Sequence, residues 1–516
     1  MMMNNNDYNR FKKESRMKLF GHEDAGKEDA DRLSLYYYRT TEYEDVTSNI
    51  DLQIIIGEKG TGKSALLRMA YTEMVEEEKI VPIWIRLDDL SELYEGILNS
   101  DNLYELKTLW KRSISKLVIM NLASHMSFTL GEDYEKALQW AYNTGYTARD
   151  FISRSAKILK PMYDKYSDLD IESVSCGEHH TLSRMIKNKE IRLFFDDFDL
   201  DWKGRLSDVL KIKSLLLSLS DLTSDMDGLS VRIALRTDVY EMIRNEEFSD
   251  KFESSLIKCK WNNQEIMRTL AKRICTYFGE EFDEQATADN QTAQYNIIKY
   301  LNLIFVPSFD KSTRVWANAP THRVIYSLIR RKPRDMVKLC HSVAEEAYKK
   351  QLPIIDSACF LAILENYSQE RLKDLINEYV NQLPNLQNLL VSMAPTKREF
   401  QSKRNERYVY TTAELHEKIK NIQSNVNISI YQANSEKLCQ ANFHEIAHFL
   451  YKIGFITGRK RSETNKIIRA YYDEKPYLLN ANVGDRGYSW EIHPAYRGAL
   501  ANGVNDRWEI TLDMES

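Results

Sequence analysis

Cysteine and proline are scarce in this chain, and neither clusters. Its six cysteines (Cys176, Cys259, Cys275, Cys340, Cys359, Cys439) are scattered over 516 residues with no close pair. That argues against a disulfide-stapled scaffold and for reduced thiols, mostly core filler, in a cytoplasmic protein. The ten prolines are spread along the whole length and mark no single flexible linker. No stretch approaches the ~20 apolar residues needed to span a bilayer. Met1 to Lys18 is Asn-rich and mixed in charge, without the apolar core of a secretory signal. No membrane partner is therefore expected. A net charge of only −5 gives no wholesale attraction to nucleic acid or to an anionic surface, so any such binding needs a local patch. Internal repeats and long low-complexity tracts are missing as well.

What is present is an ordinary globular balance, 43% hydrophobic and 28% charged, in a chain too long for one compact core. The usual domain size suggests about three units. The most informative segment is Gly57-Glu58-Lys59-Gly60-Thr61-Gly62-Lys63-Ser64. It follows the apolar run Leu52 to Ile56 and precedes the helix-forming stretch Ala65 to Ala70. This is a complete phosphate-binding loop in its proper strand-to-helix setting: glycines let the backbone wrap a phosphate, and the amides opening the helix point at its oxygens. Lys63 would reach the β- and γ-phosphates, and the Ser64 hydroxyl would hold Mg²⁺.

Three further β-type runs end in charged residues: Ile80 to Leu87 in Asp88-Asp89, Ile191 to Phe195 in Asp196-Asp197-Phe198-Asp199, and Val231 to Leu235 in Arg236-Thr237-Asp238. A shorter run, Leu256 to Trp261, could close the sheet. Near-continuous apolar strands separated by helical pattern predict a parallel sheet covered on both faces, with ligand groups at the carboxyl ends of its strands. About a hundred residues between the first two of these runs read as a helical insertion, with helices at Leu103 to His125 and Glu135 to Tyr142. The cluster Cys176-Gly177-Glu178-His179-His180 within it lacks the paired spacing of a metal site and reads as a polar loop. Beyond Trp261 the pattern turns helical, at Asn263 to Phe278, Tyr295 to Ile304, Thr321 to Arg330, Asp335 to Lys350 and Ser357 to Tyr379. From about Pro395 a charged segment and helical stretches lead to β-type runs at Ile467 to Tyr472 and Tyr488 to Ile492, the outline of a winged helix.

The expected fold is thus α/β: a P-loop NTPase parallel sheet with a helical insertion, a helical lid and a C-terminal winged-helix-like domain. The expected divisions are an N-terminal segment at 1–50, an ATPase core at 51–261 with its insertion at about 91–190, a lid at 262–394 and the tail domain at 395–516.

Hydrolysis on such a scaffold needs an anchored Mg²⁺ and a water aimed at the γ-phosphate. Asp196 would hold Mg²⁺ through its water shell, and Asp197 would polarise the attacking water; adjacent acids ending an apolar strand are costly if they only cap a helix. Arg236 ends the next strand, where a cation could sense the γ-phosphate, although Arg-Thr-Asp also suits a simple turn. Arg334, in Arg331-Lys332-Pro333-Arg334-Asp335 at a helix start, could reach the nucleotide from the lid; Pro333 there is expected on backbone grounds alone.

Taken in order, Gly57-x4-Gly62-Lys63-Ser64, Phe194-Phe195-Asp196-Asp197, Arg236 and Pro333-Arg334 resemble the AAA+/STAND class of P-loop ATPases. The likeness is to bacterial members with a helical lid and a C-terminal winged helix. Leu450 to Ile456, Trp490 to Arg497 and the segment Phe20-Gly21 through Tyr38 are similar to the corresponding parts of those proteins. The resemblance implies ATP as the nucleotide, with Mg²⁺; no base-reading motif separates ATP from GTP. It further implies a homo-oligomerising switch or motor with a partner or effector protein, and for some relatives a role in antiphage defence or DNA-linked processes. An arginine at 236, where a polar sensor is usual, is the more STAND-like arrangement.

Two competing signals sit in the tail. His444-Glu445-Ile446-Ala447-His448 matches the zinc-protease pattern, with Glu463 or Asp473 as the downstream acids in range. Phe443, Ala447, Leu450 and Gly454, at helical spacing, instead suit the buried face of a small domain. Basic clusters at Lys403-Arg404 with Arg407, and at Arg459-Lys460-Arg461, lie near Tyr408, Tyr410, Tyr471 and Tyr472. They make DNA a candidate partner through the tail, the alternative being solvated surface or protein docking. The alternatives to an ATPase switch are therefore an ATP-gated DNA-binding protein and a zinc metalloprotease fused to an ATPase.

Overall fold

The computed structural model describes residues 7–77, 80–90, 101–125, 182, 190–199, 202–244, 250–288, 293–313, 316–402, 406–431, 438–462, 467–479 and 485–501. The expected helix at Glu135 to Tyr142 and the Cys176 to His180 cluster lie outside them. Contacts group the chain into a sheet unit, residues 39–59 and 63–259, and a helical unit, residues 1–38, 60–62 and 260–516.

The sheet unit is built on five parallel strands: β1 (Leu52–Gly57), β2 (Ile80–Arg86), β3 (Glu190–Asp196), β4 (Leu229–Arg236) and β5 (Leu256–Lys258). Their order is β2-β3-β4-β1-β5, so β4 lies between the strand that leads into the glycine loop and the strand that ends in acids. All six residues of β1 are buried, as the continuous apolar run predicts for a central strand. Pairing level across the sheet divides its two faces. Ile54, Ile56, Leu193, Phe195, Ile233 and Leu235 join one buried cluster with side chains of helices Leu103–His125 and Leu206–Asp225.

The other face is partly polar. Gln53 and Phe194 lie level with Arg232 on either side of it. The fully buried Arg232 donates to the carbonyls of Val46 (2.7 Å), Ser48 (2.6 Å) and Ile50 (2.8 Å), and Arg192 donates to Thr47 O at 3.1 Å. These guanidinium groups satisfy carbonyls at the C-terminal end of helix Thr41–Thr47 and of Ile50 just beyond it, and a cation there also meets the favourable end of the helix dipole. Phe194 continues the face with an aromatic group, packing edge-on to Tyr71 of helix Lys63–Glu77 and stacking with Trp84. Asp196 is two residues further along the same face, which puts it on the side that carries the helix opening at Lys63.

The helical unit begins with helices Lys13–Phe20 and Ala30–Tyr36, then runs through Asn263–Phe278, Ala293–Leu301, Thr321–Leu328, Pro333–Lys349 and Ser357–Tyr379. Of the last five, Asn263–Phe278 and Ser357–Tyr379 have the predicted bounds, and the other three have ends within three residues of those predicted. Asn262 and Glu265 form a capping box at the start of Asn263–Phe278, and Gly279 closes it in the left-handed conformation (φ 67). Cys275, Cys340 and Cys359 are buried here as free thiols, pushed up to about 12 by burial.

The end of this unit holds a four-stranded antiparallel sheet of β6 (Val409–Tyr410), β9 (Ile456–Arg461), β10 (Ile467–Ala470) and β11 (Ser489–Ile492), in the order β10-β9-β11-β6. A separate hairpin pairs β7 (Ser429–Tyr431) with β8 (Leu438–Gln440). The two predicted terminal strands exist, but they do not pair with each other: both pair with β9. Gly458 suits the close packing of that strand, because a Cβ there would press on the Tyr488 ring at 3.1 Å and the Ala470 Cβ at 3.2 Å, and both would have to give by a few tenths of an ångström. Among the described residues no helix is long and apolar enough to cross a membrane.

Candidate functional site

β1 delivers the chain to Gly57, and helix Lys63–Glu77 begins six residues later. Gly60 (φ 88) and Gly62 (φ 93) hold conformations that side-chain-bearing residues rarely adopt, as the tight turn requires. Glu58 is half-buried, Lys59 exposed and Thr61 buried. The Lys63 ammonium donates to the carbonyls of Gly57 (2.8 Å) and Glu58 (3.1 Å), folding back over its own loop. Within the helical unit, the Gly60 carbonyl accepts the Arg334 amide at 3.3 Å, and the Thr61 carbonyl accepts the Trp261 indole N–H at 2.6 Å. The Arg334 guanidinium donates through Nε to the Glu23 carbonyl at 3.2 Å. Its neighbour Arg331 packs over the Tyr471 ring at 4.1 Å and pairs with Glu474.

The Ser64 hydroxyl donates to Asp196 Oδ1 at 3.2 Å, so the first turn of the loop's helix meets the acidic end of β3 across β4. Asp196 is 7% exposed. Burial, reinforced by the adjacent Asp197 charge, pushes its carboxyl up to about 6, against the opposing pull of Ser64 and Lys63. Asp197 takes a left-handed conformation (φ 63), which turns the chain so that the second acid stands exposed beside the buried first one. A hydroxyl and a carboxylate side by side are hard oxygen ligands of the kind that suit Mg²⁺.

Arg236 lies level with Gly57 in the β1–β4 pairing, next to the first residue of the loop. Its guanidinium is held by Asp238, Nε to Oδ1 at 3.0 Å and Nη2 to Oδ2 at 2.7 Å, and its amide donates to Asp199 Oδ2 at 2.6 Å. Asp199 and Asp238 are 9% and 6% exposed. Sequence reasoning gave neither a role. The sequence offers only that each acid follows an apolar strand by two or three residues; their burial and their hold on Arg236 appear in the structure alone.

The tail signals resolve differently. Glu445 accepts the Asn442 amide at 2.8 Å while Asn442 accepts the amides of His444 and Glu445, so the glutamate of the zinc-like pattern completes a capping box on helix Phe443–Lys452. His444 packs against the His416 ring and His448 against Tyr472. No group of three or more metal-ligating side chains occurs among the described residues, which leave out Glu463. Of the basic cluster, Arg459 and Arg461 both pair with Glu406, and Lys460 lies over the Tyr488 ring. Tyr408 and Tyr410 are buried, and Lys403 and Arg404 lie outside the described residues.

No family model matches this chain. It is 21% identical over 519 residues to the Putative transposon gamma-delta 80.3 kDa protein of Escherichia coli (strain K12), an alignment covering 94% of this chain and 69% of that protein. Among solved structures it is similar to the Aeropyrum pernix ORC1 protein in complex with DNA, at 11% identity and a TM-score of 0.35, covering 94% of this chain and 95% of that one. The Aeropyrum pernix ORC2 protein in its ADPNP-ADP complexes gives 11% and 0.34 over 91% of each chain. Cdc6p from Pyrobaculum aerophilum gives 12% and 0.30 over 83% and 86%. The α/β fold with a central parallel sheet rests on the strand order and register of this chain itself.

Proposed function

We propose that this chain is an ATP-binding and ATP-hydrolysing P-loop ATPase of the AAA+/STAND type, acting as an oligomerising switch or motor. The observation that carries the reading is the Ser64 to Asp196 hydrogen bond. It joins the hydroxyl of a complete phosphate-loop sequence to a buried acid two strands away, with the Lys63 ammonium in the same loop. These residues fit Mg²⁺ and a triphosphate: hard oxygen donors, a lysine held at the loop and glycines in the required turn.

Bound Mg²⁺ would neutralise charge developing on the transferred phosphoryl group. Ser64 and Asp196 would hold the ion, and Lys63 would exchange its two carbonyl acceptors for the β- and γ-phosphate oxygens. The exposed Asp197 would orient the attacking water. Arg236 and Arg334 would sense the γ-phosphate, Arg236 from the end of β4 and Arg334 from the start of helix Pro333–Lys349. ATP over GTP, a lid at 262–394, a winged-helix-like domain at 395–516, an effector partner and a place in antiphage defence all follow from the family resemblance and belong to the same reading.

Lys63→Ala is expected to lose ATP binding, and Asp197→Asn to retain binding while turnover stops. Equilibrium binding of ATP with Mg²⁺ and steady-state phosphate release measure the two. Unchanged binding in Lys63→Ala would sink the assignment.

A further inference from the structure

Resting on that reading, we infer that Asp199 and Asp238 are positioning residues that together mount Arg236 at the end of β4. Arginine is a long side chain on four rotatable bonds, and a cation that must meet one phosphate oxygen gains from having that freedom removed beforehand. Arg236 is held at both ends. Asp199 takes its amide at 2.6 Å, and Asp238 takes its guanidinium in a two-point contact of 3.0 and 2.7 Å. The planar fork is thereby fixed in plane as well as in position.

Both acids are costly to place where they are. Two buried carboxylates converge on one residue, although a buried ion pair is weak evidence for stability and apolar side chains would fill the space without the desolvation penalty. Asp199 also lies in the field of the loop: burial pushes its carboxyl up, and the charge of Lys63 is the foremost influence opposing that shift. The β1–β4 register sets the mounted residue level with Gly57, beside the loop. Asp199 leaves β3 and clasps the end of β4, so it ties the strand carrying the acid pair to the strand carrying the arginine. Neither acid needs to touch nucleotide; each acts through Arg236.

The test is steady-state ATP hydrolysis by the full chain with Mg²⁺, comparing the unmodified protein with Lys63→Ala, Arg236→Ala, Asp238→Ala, the double Arg236→Ala/Asp238→Ala, Asp199→Ala and Asp199→Asn. Asp238→Ala is expected to lower kcat by about tenfold or more while KM moves less than about twofold. The double variant should be no slower than Arg236→Ala alone. Asp199→Asn, which keeps an acceptor oxygen for the amide, should recover most of the kcat lost in Asp199→Ala. Losses that multiply in the double variant, or a lowered melting temperature with kcat intact, would overturn the mount while leaving the ATPase reading standing. An unmodified protein no faster than Lys63→Ala would overturn both.

Discussion

Two buried carboxylates of the helical unit are treated in the opposite way to Asp196 of the sheet unit. In the helical unit, Asp335 accepts Arg330 at 2.6 and 3.0 Å and Arg371 at 2.9 Å, and Arg330 goes on to the Tyr496 hydroxyl at 2.8 Å. Burial works against its ionisation, but Arg330 and Arg371 overcome that and hold the carboxyl far below its usual range. Glu491 repeats the arrangement: burial is outweighed by Arg469 and Arg497, and the carboxyl is held at about 2. In the sheet unit, Asp196 is nearly as buried, yet it has a hydroxyl as its hydrogen-bond donor and another acid as its neighbour, and it is pushed up to about 6. The first kind of carboxylate is finished by the protein. The second is left short of positive charge, as a group must be if a divalent cation is to complete it.

Breaking the finished kind should cost most. Asp335→Asn leaves two buried guanidinium groups without their counter-charge, so the helical unit is expected to lose about 3–5 kcal/mol, read from the midpoint of its denaturant unfolding. A loss below about 1 kcal/mol would mean that water or Asp374, which also pairs with Arg371, takes over the charge.

The unfinished kind should respond with the opposite sign. A carboxyl whose folded pKa lies above its unfolded value binds more protons when folded, so stability is lost as pH rises from about 4 through about 6. In metal-free protein at pH 8, Asp196→Asn should therefore stabilise the sheet unit by about 1–2 kcal/mol, with the gain fading below pH ~4. Mg²⁺ with ATP should raise the melting temperature of the unmodified protein and not that of the variant. A destabilised Asp196→Asn would show that the carboxylate is structural after all.

What could be read in advance follows the range of the interactions. The loop, the strands of the sheet and most helices were legible because each is set by neighbours in sequence: an apolar run, a period of 3.6, a glycine at a turn. The strand order was not, since inserting β4 between β1 and β3 is a matter of long-range pairing. For the same reason the ties of Arg232 to Val46, Asp199 to Arg236 and Arg330 to Tyr496 left no local trace. β9 escaped notice because Gly458, Arg459, Lys460 and Arg461 break the apolar alternation that marks a strand, and its fitness as the central strand depends on Ala470 and Tyr488. The candidate site was half legible: the acids and the arginine could be named from strand ends, but what holds each of them could not.

The smallest expected effect concerns a carboxylate of a third kind, exposed and occupied by backbone. Glu445 stands at the third position of helix Phe443–Lys452, where Asn442-x-x-Glu445 spells a capping box as plainly as His444-x3-His448 spells a metal motif. The two readings part in experiment. As a cap partner, Glu445→Gln should cost less than about 0.5 kcal/mol, because glutamine serves the same bond, while Asn442→Ala should cost about 1 kcal/mol by stripping two amides of their acceptor. As the base of a zinc site, Glu445→Gln would leave stability alone and abolish a chelator-sensitive activity. Denaturant midpoints of the two variants, beside metal analysis of the unmodified protein, separate these outcomes. Bound zinc in equimolar amount would move Glu445 out of the backbone-bonded class and make it the base beside a metal held by His444 and His448.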